Sequence, residues 1–361
     1  MKIALVNSCR YIGGAELWQV RFAKFLKSKG EQVKFYLRPG EFSGLVIKEG
    51  FPVKEIRMAA DLDFFSALKF YREFKLFGPH VVIFNDQRDL RLGATAAKKA
   101  GVPLKIQVKG ASFLKGSFRD KYYYSKLDVV VCVSKAIENL FAEKLKLDCS
   151  RLYYLPNCID PERFSNPDRG ALRKKIRAGD DEILLGMSGR LVKPKRQGDL
   201  ILAAKTLSER GHKIKVVLAG EGKRQPVLEQ LSKDSGLAGR VIFLGFVHQI
   251  EEYLAGLDVF VFCSEQEGMP IAVLEALASG TPVVAASIPG VDELIESGKN
   301  GLLYPVGDVP ALAERIESLL KGKISGADLG RAAQQRIAQN FDERKIFEGF
   351  REWLAQRSSR G

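Results

Sequence analysis

Two carboxylates in the C-terminal half have a spacing that suits a ligand at the tip of a helix. Glu267 lies in a predicted turn, and Glu275 follows it by eight residues. The apolar run from Val259 to Cys263 predicts a buried strand, and Pro270 marks the predicted first residue of a helix. A strand followed by a helix leaves free backbone N–H groups and the positive end of the helix dipole facing outwards, which suits a phosphate. Carboxylates accept hydrogen bonds from sugar hydroxyls instead, so the pattern predicts a ligand of the nucleotide-sugar kind.

Two cations at the start of the same half complement these carboxylates. Arg190 and Lys195 follow the predicted strand Ile183–Met187. A diphosphate held beside two carboxylates needs positive charge, which these residues would supply. Simpler alternatives remain for the two carboxylates and for the two cations. A Glu in the first turn of a helix often only interacts with the helix dipole, and a basic pair often only forms surface salt bridges.

Alternating strands and helices must position these groups. Apolar runs predict strands in both halves, and a helix follows most of them, so we expect doubly wound α/β domains. The predicted strands of the first half are Lys2–Val6, Gln32–Leu37, Val53–Ile56, His80–Phe84, Leu104–Val108, Val129–Val133 and Leu152–Leu155. Those of the second half are Ile183–Met187, Lys215–Ala219, Val241–Leu244, Val259–Cys263, Pro282–Ala286 and Leu302–Tyr304. We place the domains at 1–160 and 161–340, with a C-terminal helix in 341–361 that packs back toward the first domain.

Composition narrows the class of protein. The 361 residues are 46% hydrophobic, which suits two domains of ordinary size. The chain has no apolar run of 18 residues, and the apolar start before Asn7 is too short for a signal peptide, so we expect a cytoplasmic protein that does not span the membrane. The five cysteines are scattered and there are only three histidines, which predicts free thiols and no metal site.

The positive charge is concentrated in the first half. Residues 1–156 contain 28 Lys and Arg against 15 Asp and Glu, a net +13, so residues 157–361 carry only +1 of the total of +14. Nucleic acid, an anionic membrane surface and an acidic acceptor are all consistent with such a half. Aromatic and basic residues interleave from Phe64 to Phe77 and from Phe113 to Lys126, which favours a membrane interface, although a core stripe with solvated lysines is the alternative. Asp61 and Asp63 precede the first of these helices and are predicted as N-cap residues rather than metal ligands.

Several motifs resemble those of one enzyme family. They comprise Glu267-x₇-Glu275, Gly189-Arg190-Leu191 followed by Lys195, the loop Gly13-Gly14-Ala15-Glu16, the linker Asn157–Phe164 and the stretch Gly298–Pro305. This pattern is similar to that of the retaining glycosyltransferases of the GT-B architecture, family 4-like and known as glycosyl transferases group 1. The resemblance covers essentially the whole chain and is strongest from residue 186 to residue 305. It implies two Rossmann-like domains that face each other across a deep cleft.

The resemblance also implies a donor site. The chain would need no metal or other cofactor and would use a nucleotide-diphosphate sugar, with UDP-sugars favoured and GDP- or ADP-sugars as alternatives. Arg190, Lys195 and Glu267 would be the catalytic residues, and Glu275 would bind the ribose hydroxyls. The full donor-binding set implied is Gly13, Gly14, Arg190, Lys195, Gly220, Phe246, Glu267, Gly268, Met269, Pro270, Ile271 and Glu275. Retention in this family is commonly explained by attack on the same face of the sugar as the leaving phosphate, which requires no protein base.

The acceptor site is expected at the ends of two strands in the first half. Arg88 and Asp89 follow one strand, and Lys109 and Ser112 follow another, at the edge where α/β sheets bind ligands. Many family members have a histidine where this chain has Lys109, which suggests a cationic contact to a phosphate or an acidic acceptor. We expect a glycan or lipid-linked acceptor in lipopolysaccharide or cell-surface polysaccharide synthesis, reached at the inner face of the cytoplasmic membrane.

Two other classes of protein remain as alternatives. A sugar-nucleotide epimerase or hydrolase shares the architecture but is expected to present acid and base groups to the sugar, which the Lys109 loop does not show. A nucleic-acid-binding protein would account for the charge. However, the sequence shows no zinc finger, homeodomain or RNA-recognition motif, so we expect no nucleic-acid partner.

Overall fold

The computed structural model describes residues 1–59, 63–110, 114 and 116–359. The chain forms two compact units, the first from Met1–Pro156 together with Arg344–Gly361 and the second from Asn157–Glu343. The break between them falls before residue 160 because the start of the second unit is tied to its own end. The N–H of Ile159 donates to the carbonyl of Phe341 (3.0 Å), and the N–H of Glu343 donates to the carbonyl of Ile159 (3.0 Å).

The first unit contains a seven-stranded parallel sheet. Its strands are β1 (Lys2–Asn7), β2 (Gln32–Leu37), β3 (Val53–Glu55), β4 (Val81–Phe84), β5 (Leu104–Lys109), β6 (Val129–Cys132) and β7 (Leu152–Tyr154). The order across the sheet is β3-β2-β1-β4-β5-β6-β7. Asn7 lies opposite Leu37 and Val6 opposite Phe84, so β1, β2 and β4 end side by side at one edge.

Helices connect these strands. They are α1 (Gly14–Ser28), α2 (Glu41–Lys48), α3 (Phe64–Phe77), α4 (Gln87–Ala100), α5 (Phe118–Tyr124) and α6 (Lys135–Leu145). Asp63 caps α3 as predicted, since its carboxylate accepts a hydrogen bond from the N–H of Ser66 (3.0 Å), whereas Asp61 lies outside the described residues. Helix α1 begins at Gly14, because Gly13 has extended backbone angles and serves as the cap residue.

The second unit contains a six-stranded parallel sheet with the order β10-β9-β8-β11-β12-β13. Its strands are β8 (Ile183–Ser188), β9 (Ile214–Ala219), β10 (Val241–Phe243), β11 (Val259–Phe262), β12 (Val283–Ala286) and β13 (Leu302–Tyr304). Its helices are α7 (Ala171–Lys175), α8 (Gln197–Glu209), α9 (Gln225–Asp234), α10 (Ile250–Ala255), α11 (Ile271–Ser279), α12 (Pro289–Asp292), α13 (Val309–Leu320) and α14 (Gly326–Asn340). Short 3₁₀ segments occur at Cys149–Arg151, Pro161–Phe164 and Lys193–Lys195. The predicted α/β class is confirmed, because both sheets are parallel and their apolar strands are covered by helices.

The last helix, α15 (Glu343–Ser358), packs within the first unit. The ring of Phe347 lies 5.7 Å from that of Trp18 and 5.0 Å from that of Phe22. The Trp353 ring stacks on Tyr153 at 4.2 Å. The aromatic face of the terminal helix therefore completes the core of the N-terminal sheet.

Candidate active site

The turn between β11 and α11 holds the first of the predicted carboxylates. Pro270 has φ −76° and ψ 120°, so it is the cap residue and the helix begins at Ile271, one residue later than predicted. No side chain caps this end of α11, so its first backbone N–H groups are open to a ligand. The backbone of the turn is nevertheless fixed, because the side-chain amide of Asn157 donates to the carbonyl of Met269 (2.7 Å).

Helix α12 makes a second contact with the turn between β11 and α11. A Cβ atom on Gly290 would lie 2.0 Å from the carbonyl oxygen of Gly268 and 3.1 Å from that of Glu267. Any side chain at Gly290 would therefore collide with the turn. The close approach of α12 holds the backbone of Glu267 and Gly268 in place.

Glu267 and Lys195 form a direct ion pair. The hydroxyl of Ser264 donates to the same carboxylate (3.0 Å), so Lys195 and Ser264 both hold Glu267. The loop that carries Lys195 is itself attached to the β11 end, since the carbonyl of Pro194 accepts from the Ser264 hydroxyl (3.1 Å) and from the N–H of Glu265 (3.0 Å). The structure thus brings together one predicted cation and one predicted carboxylate.

Arg190 lies beside this pair on the loop after β8. Its side chain is exposed, and its carbonyl accepts from the side-chain amide of Gln197 (2.9 Å). The preceding residue, Gly189, has φ +141°. A Cβ atom at this position would lie 3.9 Å from the Lys195 side chain. Both predicted cations are therefore presented by one short loop.

Gly220 allows this loop to meet the loop after β9. It has φ +129°, and a Cβ atom there would lie 2.1 Å from the carbonyl oxygen of Gly189. Its N–H donates to the carbonyl of Gly245 in the loop after β10 (2.6 Å). The ring of the next residue, Phe246, is 60% exposed and lies 4.9 Å from the ring of His248, at the rim of a cavity of about 200 Å³. Gly220 and Phe246 thus lie in the loops that border the β8 end.

Glu275 occupies the second turn of α11 and is half-buried. At 1.5 Å per residue it lies about 6 Å along the axis from Ile271. Glu267 and Glu275 therefore lie at the tip and on the side of the same helix start. Ile271 itself is half-buried, whereas Met269 is only 3% exposed.

The predicted glycine loop in the first unit covers a buried polar network. The side-chain amide of Asn7 donates to Glu16 (3.1 Å) and to Gln19 (2.9 Å), and the amide of Asn85 donates to Glu16 (3.3 Å). A Cβ atom at Gly13 would lie 3.1 Å from the Glu16 carboxylate, so a larger residue there would displace that side chain slightly. The sequence analysis did not identify this network, although a polar residue at the end of β1 and two on the core face of α1 were available as a signal.

The predicted acceptor residues lie at the same sheet edge. Asp89 is fully buried in the first turn of α4, and its carboxylate accepts from the N–H of Asp86 (2.8 Å), the N–H of Asn85 (3.3 Å) and the hydroxyl of Ser8. Burial raises the pKa of Asp89 to about 7, against those hydrogen bonds, which lower it. Arg88 is half-buried in the same turn.

Lys109 is the last residue of β5 and is 7% exposed. Burial lowers the pKa of its ammonium group, while the carboxylates of Asp86 and Asp120 act in the opposite direction. Ser112, which was predicted beside it, lies outside the described residues.

The described residues show neither a metal centre nor a spanning helix. Within that part of the chain, no three His, Cys, Asp or Glu side chains converge as ligands of a metal ion. No helix in the same part is long and apolar enough to cross a bilayer.

Two family models match the chain over most of its length. The model described as Glycosyltransferase Family 4 matches residues 12–163, and the model described as Glycosyl transferases group 1 matches residues 168–336. The match to group 1 contains the β8 loop, the β11 turn and α11. The match to Family 4 contains Gly13 and the residues of the first unit that were predicted to bind the acceptor.

Individual relatives agree with these matches. N-acetyl-alpha-D-glucosaminyl L-malate synthase of Bacillus anthracis is 31% identical over 222 residues, which are 61% of this chain and 57% of that protein. The match thus spans little more than half the length of that relative. Lipopolysaccharide core biosynthesis glycosyltransferase LpsE of Rhizobium meliloti is 28% identical over 236 residues, covering 65% of this chain and 66% of LpsE. HepE of Anabaena, whose crystal structure is a complex with UDP, has a TM-score of 0.87 and 25% identity over 99% of this chain and 100% of its own.

Proposed function

Because the chain belongs to the group 1 and family 4 glycosyltransferases, as its motifs predicted, we propose that it transfers a sugar from a nucleotide-diphosphate sugar to a glycan or glycolipid acceptor. The observation that supports this most directly is the Lys195–Glu267 pair beside the uncapped start of α11. A cation and a carboxylate beside the free backbone N–H groups of one turn match the phosphate and the hydroxyls of such a donor.

The diphosphate is held by positive groups on two sides. The N–H groups of Gly268, Met269 and Ile271 and the positive end of the α11 dipole provide one side, and Arg190 and Lys195 provide the other. An ammonium group has three N–H donors, so Lys195 can bind a phosphate oxygen while it remains paired with Glu267. Glu267 then accepts a hydrogen bond from a sugar hydroxyl and orients the donor.

The transfer step proceeds with retention of configuration. The bond between the anomeric carbon and the phosphate oxygen breaks, and a bond to the acceptor oxygen forms on the same face of the sugar. The acceptor proton passes to an oxygen of the leaving phosphate, so no protein base is consumed. Arg190 and Lys195, rather than a metal ion, offset the negative charge that grows on the leaving diphosphate.

The base and ribose are bound next to the diphosphate. Glu275 lies along α11 from the phosphate position and accepts hydrogen bonds from the ribose hydroxyls. The exposed ring of Phe246 offers an apolar face to the base. We favour UDP because HepE was solved in complex with it.

A thermal-shift screen with UDP-, GDP- and ADP-sugars tests the donor. A ligand at 100 times its dissociation constant adds about 2.7 kcal/mol of stability, which is easily measured. We expect a UDP-sugar to raise the melting temperature of the parent and of Lys193→Ala, an exposed lysine near the site, but not of Glu275→Ala. The donor assignment fails when no nucleotide sugar stabilises the parent, or when Glu275→Ala is stabilised equally.

Product analysis then separates a transferase from the related activities. With a UDP-sugar alone, a hydrolase releases free sugar at its full rate and an epimerase interconverts the donor. We expect slow release alone and a large increase when a lipopolysaccharide-core acceptor is added. Rapid release of free sugar without an acceptor would indicate a hydrolase, and epimerisation of the donor would indicate an epimerase. Either result would contradict the transferase proposal.

We place the acceptor at the inner face of the cytoplasmic membrane. Three aromatic side chains at the starts of α3 and α5 are exposed, with Phe64 at 74%, Phe65 at 83% and Phe118 at 84%. Residues 1–156 carry the net charge of +13, and such a combination favours binding to anionic lipid. The relative LpsE, named for lipopolysaccharide core synthesis, supports an acceptor of that class.

Liposome flotation tests the membrane contact. The parent should float with vesicles that contain anionic lipid at low salt, and the variant Phe64→Ser/Phe65→Ser should float at least several-fold less. A gel-shift assay at physiological salt is expected to show no nucleic-acid complex. Equal and negligible flotation with neutral and anionic vesicles would contradict the membrane proposal.

A further inference from the structure

A cavity of about 310 Å³ lies in the first unit, at the edge of the sheet where the strands begin. Gln32, the first residue of β2, belongs to its lining, and Lys2 at the start of β1 lies opposite Gln32. The residues of this unit that were predicted to bind donor or acceptor follow the ends of the same parallel strands, such as Gly13 after β1 and Arg88 after β4. The cavity therefore lies at the opposite edge of the sheet and is separate from those residues.

Apolar side chains form the interior of the cavity. Val33 and Phe51 are buried, and Pro52 and Phe77 complete the apolar part of the lining. The ring of Phe51 packs on the core, 5.4 Å from the ring of Phe35. The N–H of Phe35 also donates to the carbonyl of Pro52 (2.9 Å). This wall is therefore attached to β2, and a preformed wall reduces the entropy that is lost when a ligand binds.

Ammonium groups lie next to the apolar rings of the lining. The Nζ atom of Lys27 lies 5.3 Å from the centre of the Phe51 ring, and that of Lys34 lies 5.7 Å from the centre of the Phe77 ring. Lys27 is exposed and Lys34 is half-buried, so both charges remain in contact with water. The cavity thus combines an apolar interior with two cations at its opening.

The carboxylates around the cavity are each shared by two cations. The pairs are Glu31 with the terminal ammonium group and Arg351, Glu73 with Lys34 and Lys54, and Glu348 with Arg351 and Lys29. Lys27 adds a further positive charge, and the lining itself contains two lysines against one glutamate. Positive groups therefore outnumber negative groups here, which favours an anionic ligand over a cationic one.

Other kinds of ligand suit the cavity less well. Among its described lining residues, Gln32 has the one uncharged polar side chain, so a sugar or a nucleotide would find few hydrogen-bond partners. A stable protein partner needs about 800 Å² of surface on each side, which four apolar side chains in a concave site do not provide. A small ligand with an apolar body and one anionic end matches the lining.

We propose that this cavity binds a free fatty acid. The carboxylate lies between Lys27 and Lys34, and the chain lies against Val33, Phe51 and Phe77. The cavity is at the lower end of the range of about 300–1,000 Å³ for small-ligand sites, which suits one acyl chain of medium length rather than the two chains of a phospholipid. The site goes beyond the proposed glycosyltransferase function and does not depend on it.

Calorimetric titration of the full chain with soluble amphiphiles tests this assignment. The probes are hexanoate, octanoate and decanoate, with decyltrimethylammonium as a probe of the opposite charge, all below the concentrations at which they form micelles. Each added methylene of the carboxylates should raise the affinity by about fourfold, because it is buried against the apolar lining. Decyltrimethylammonium should bind at least about tenfold less tightly than decanoate.

A charge reversal at the opening of the cavity tests the role of Lys27. Lys27→Glu should bind decanoate at least about tenfold less tightly than the parent and decyltrimethylammonium more tightly. Lys98→Glu is the matched control, since Lys98 is also an exposed lysine in the last turn of a helix, α4, and does not line the cavity. This control should bind decanoate within about twofold of the parent. Both lysines are exposed, so both variants should unfold in urea at the midpoint of the parent.

Three results would overturn the assignment. The first is a parent that does not bind decanoate, or that binds all three carboxylates equally. The second is equal affinity of Lys27→Glu and Lys98→Glu for decanoate. The third is flotation with phosphatidate vesicles that falls in Lys27→Glu although no soluble carboxylate binds, since the cavity would then take a membrane lipid. UDP binding is measured separately on the parent, and its failure would count against the donor site rather than against this cavity.

Discussion

Lys195 and Glu267 form an ion pair across 72 residues of sequence. Their side chains are 19% and 21% exposed, so water screens the pair. Pairs of this kind contribute about 0–1 kcal/mol to folding. Their position beside an open helix terminus is therefore better accounted for by ligand binding than by stability.

Replacing Lys195 by Ala should abolish most activity without unfolding the protein. We expect kcat/KM for the nucleotide sugar to fall at least about 100-fold, which corresponds to about 2.7 kcal/mol of transition-state stabilisation. The free energy of unfolding in urea should change by less than about 1 kcal/mol. The matched variant Lys193→Ala, two residues away and exposed, should keep the activity of the parent. Equal activity of both variants would show that Lys195 does not take part in catalysis.

Asp89 should make stability depend on pH. Its pKa is about 7 in the folded protein, against 3.8 for an exposed Asp. The folded state therefore holds a proton between these values that the unfolded state has released. The contribution of this group is fully present below about pH 4 and is lost as pH rises toward 7. In urea unfolding at pH 5, 6, 7 and 8, Asp89→Asn should gain stability relative to the parent as pH increases. A difference that is constant over this range would contradict the assignment.

Helix α12 supports the turn of Glu267 although it contributes no predicted site residue. It approaches the turn closely at Gly290, where the absence of a side chain leaves room for the carbonyl group of Gly268. A short helix thereby sets the position of the backbone N–H groups at the start of α11. Displacement of such a support by even 1 Å is enough to reduce catalysis.

Gly290→Ala should therefore weaken donor binding, because it displaces the turn between β11 and α11. The added methyl would lie 2.0 Å from the Gly268 carbonyl oxygen, so the turn must shift. We expect the free energy of unfolding to fall by about 1–3 kcal/mol and the affinity for UDP to fall at least tenfold. Gly349→Ala in α15 is the control, since its methyl would meet nothing within 4 Å. That control should be up to about 1 kcal/mol more stable and should bind UDP normally. UDP binding by Gly290→Ala at parental affinity would show that α12 does not position the turn.

The whole chain contains two units whose cores can be observed separately. Both tryptophans, Trp18 and Trp353, lie in the first unit, so tryptophan fluorescence reports only on that unit. Far-ultraviolet circular dichroism reports on both. The terminal helix α15 joins the first unit through the buried ring of Phe350, which lies 5.2 Å from that of Phe22.

Phe350→Ala should destabilise the first unit specifically. Removal of a buried Phe side chain costs about 3–5 kcal/mol, so the urea midpoint followed by tryptophan fluorescence should fall clearly. The exposed residue Phe118 provides the control, because Phe118→Ala should stay within about 0.5 kcal/mol of the parent. A fluorescence midpoint for Phe350→Ala equal to that of Phe118→Ala would mean that α15 contributes little to this core.

Local patterns in the sequence were sufficient for the elements and the family. Each predicted strand is present, with ends that differ by at most one residue, because a run of buried apolar residues is visible in the local sequence. The turn motif around Glu267 was identified for the same reason. Pro270 was placed one residue too far into the helix, since a proline fits both the cap and the first turn.

Contacts between distant segments depended on the order of the strands. The sequence alone did not show that Lys195 pairs with Glu267 or that Gly290 lies against Gly268. Both contacts join loops that become neighbours only because the parallel strands β8, β11 and β12 lie side by side. Strand order is set by the packing of the complete sheet against its helices, which no short stretch of residues encodes. The chain therefore specifies its chemical groups locally, and the fold determines which of them act together.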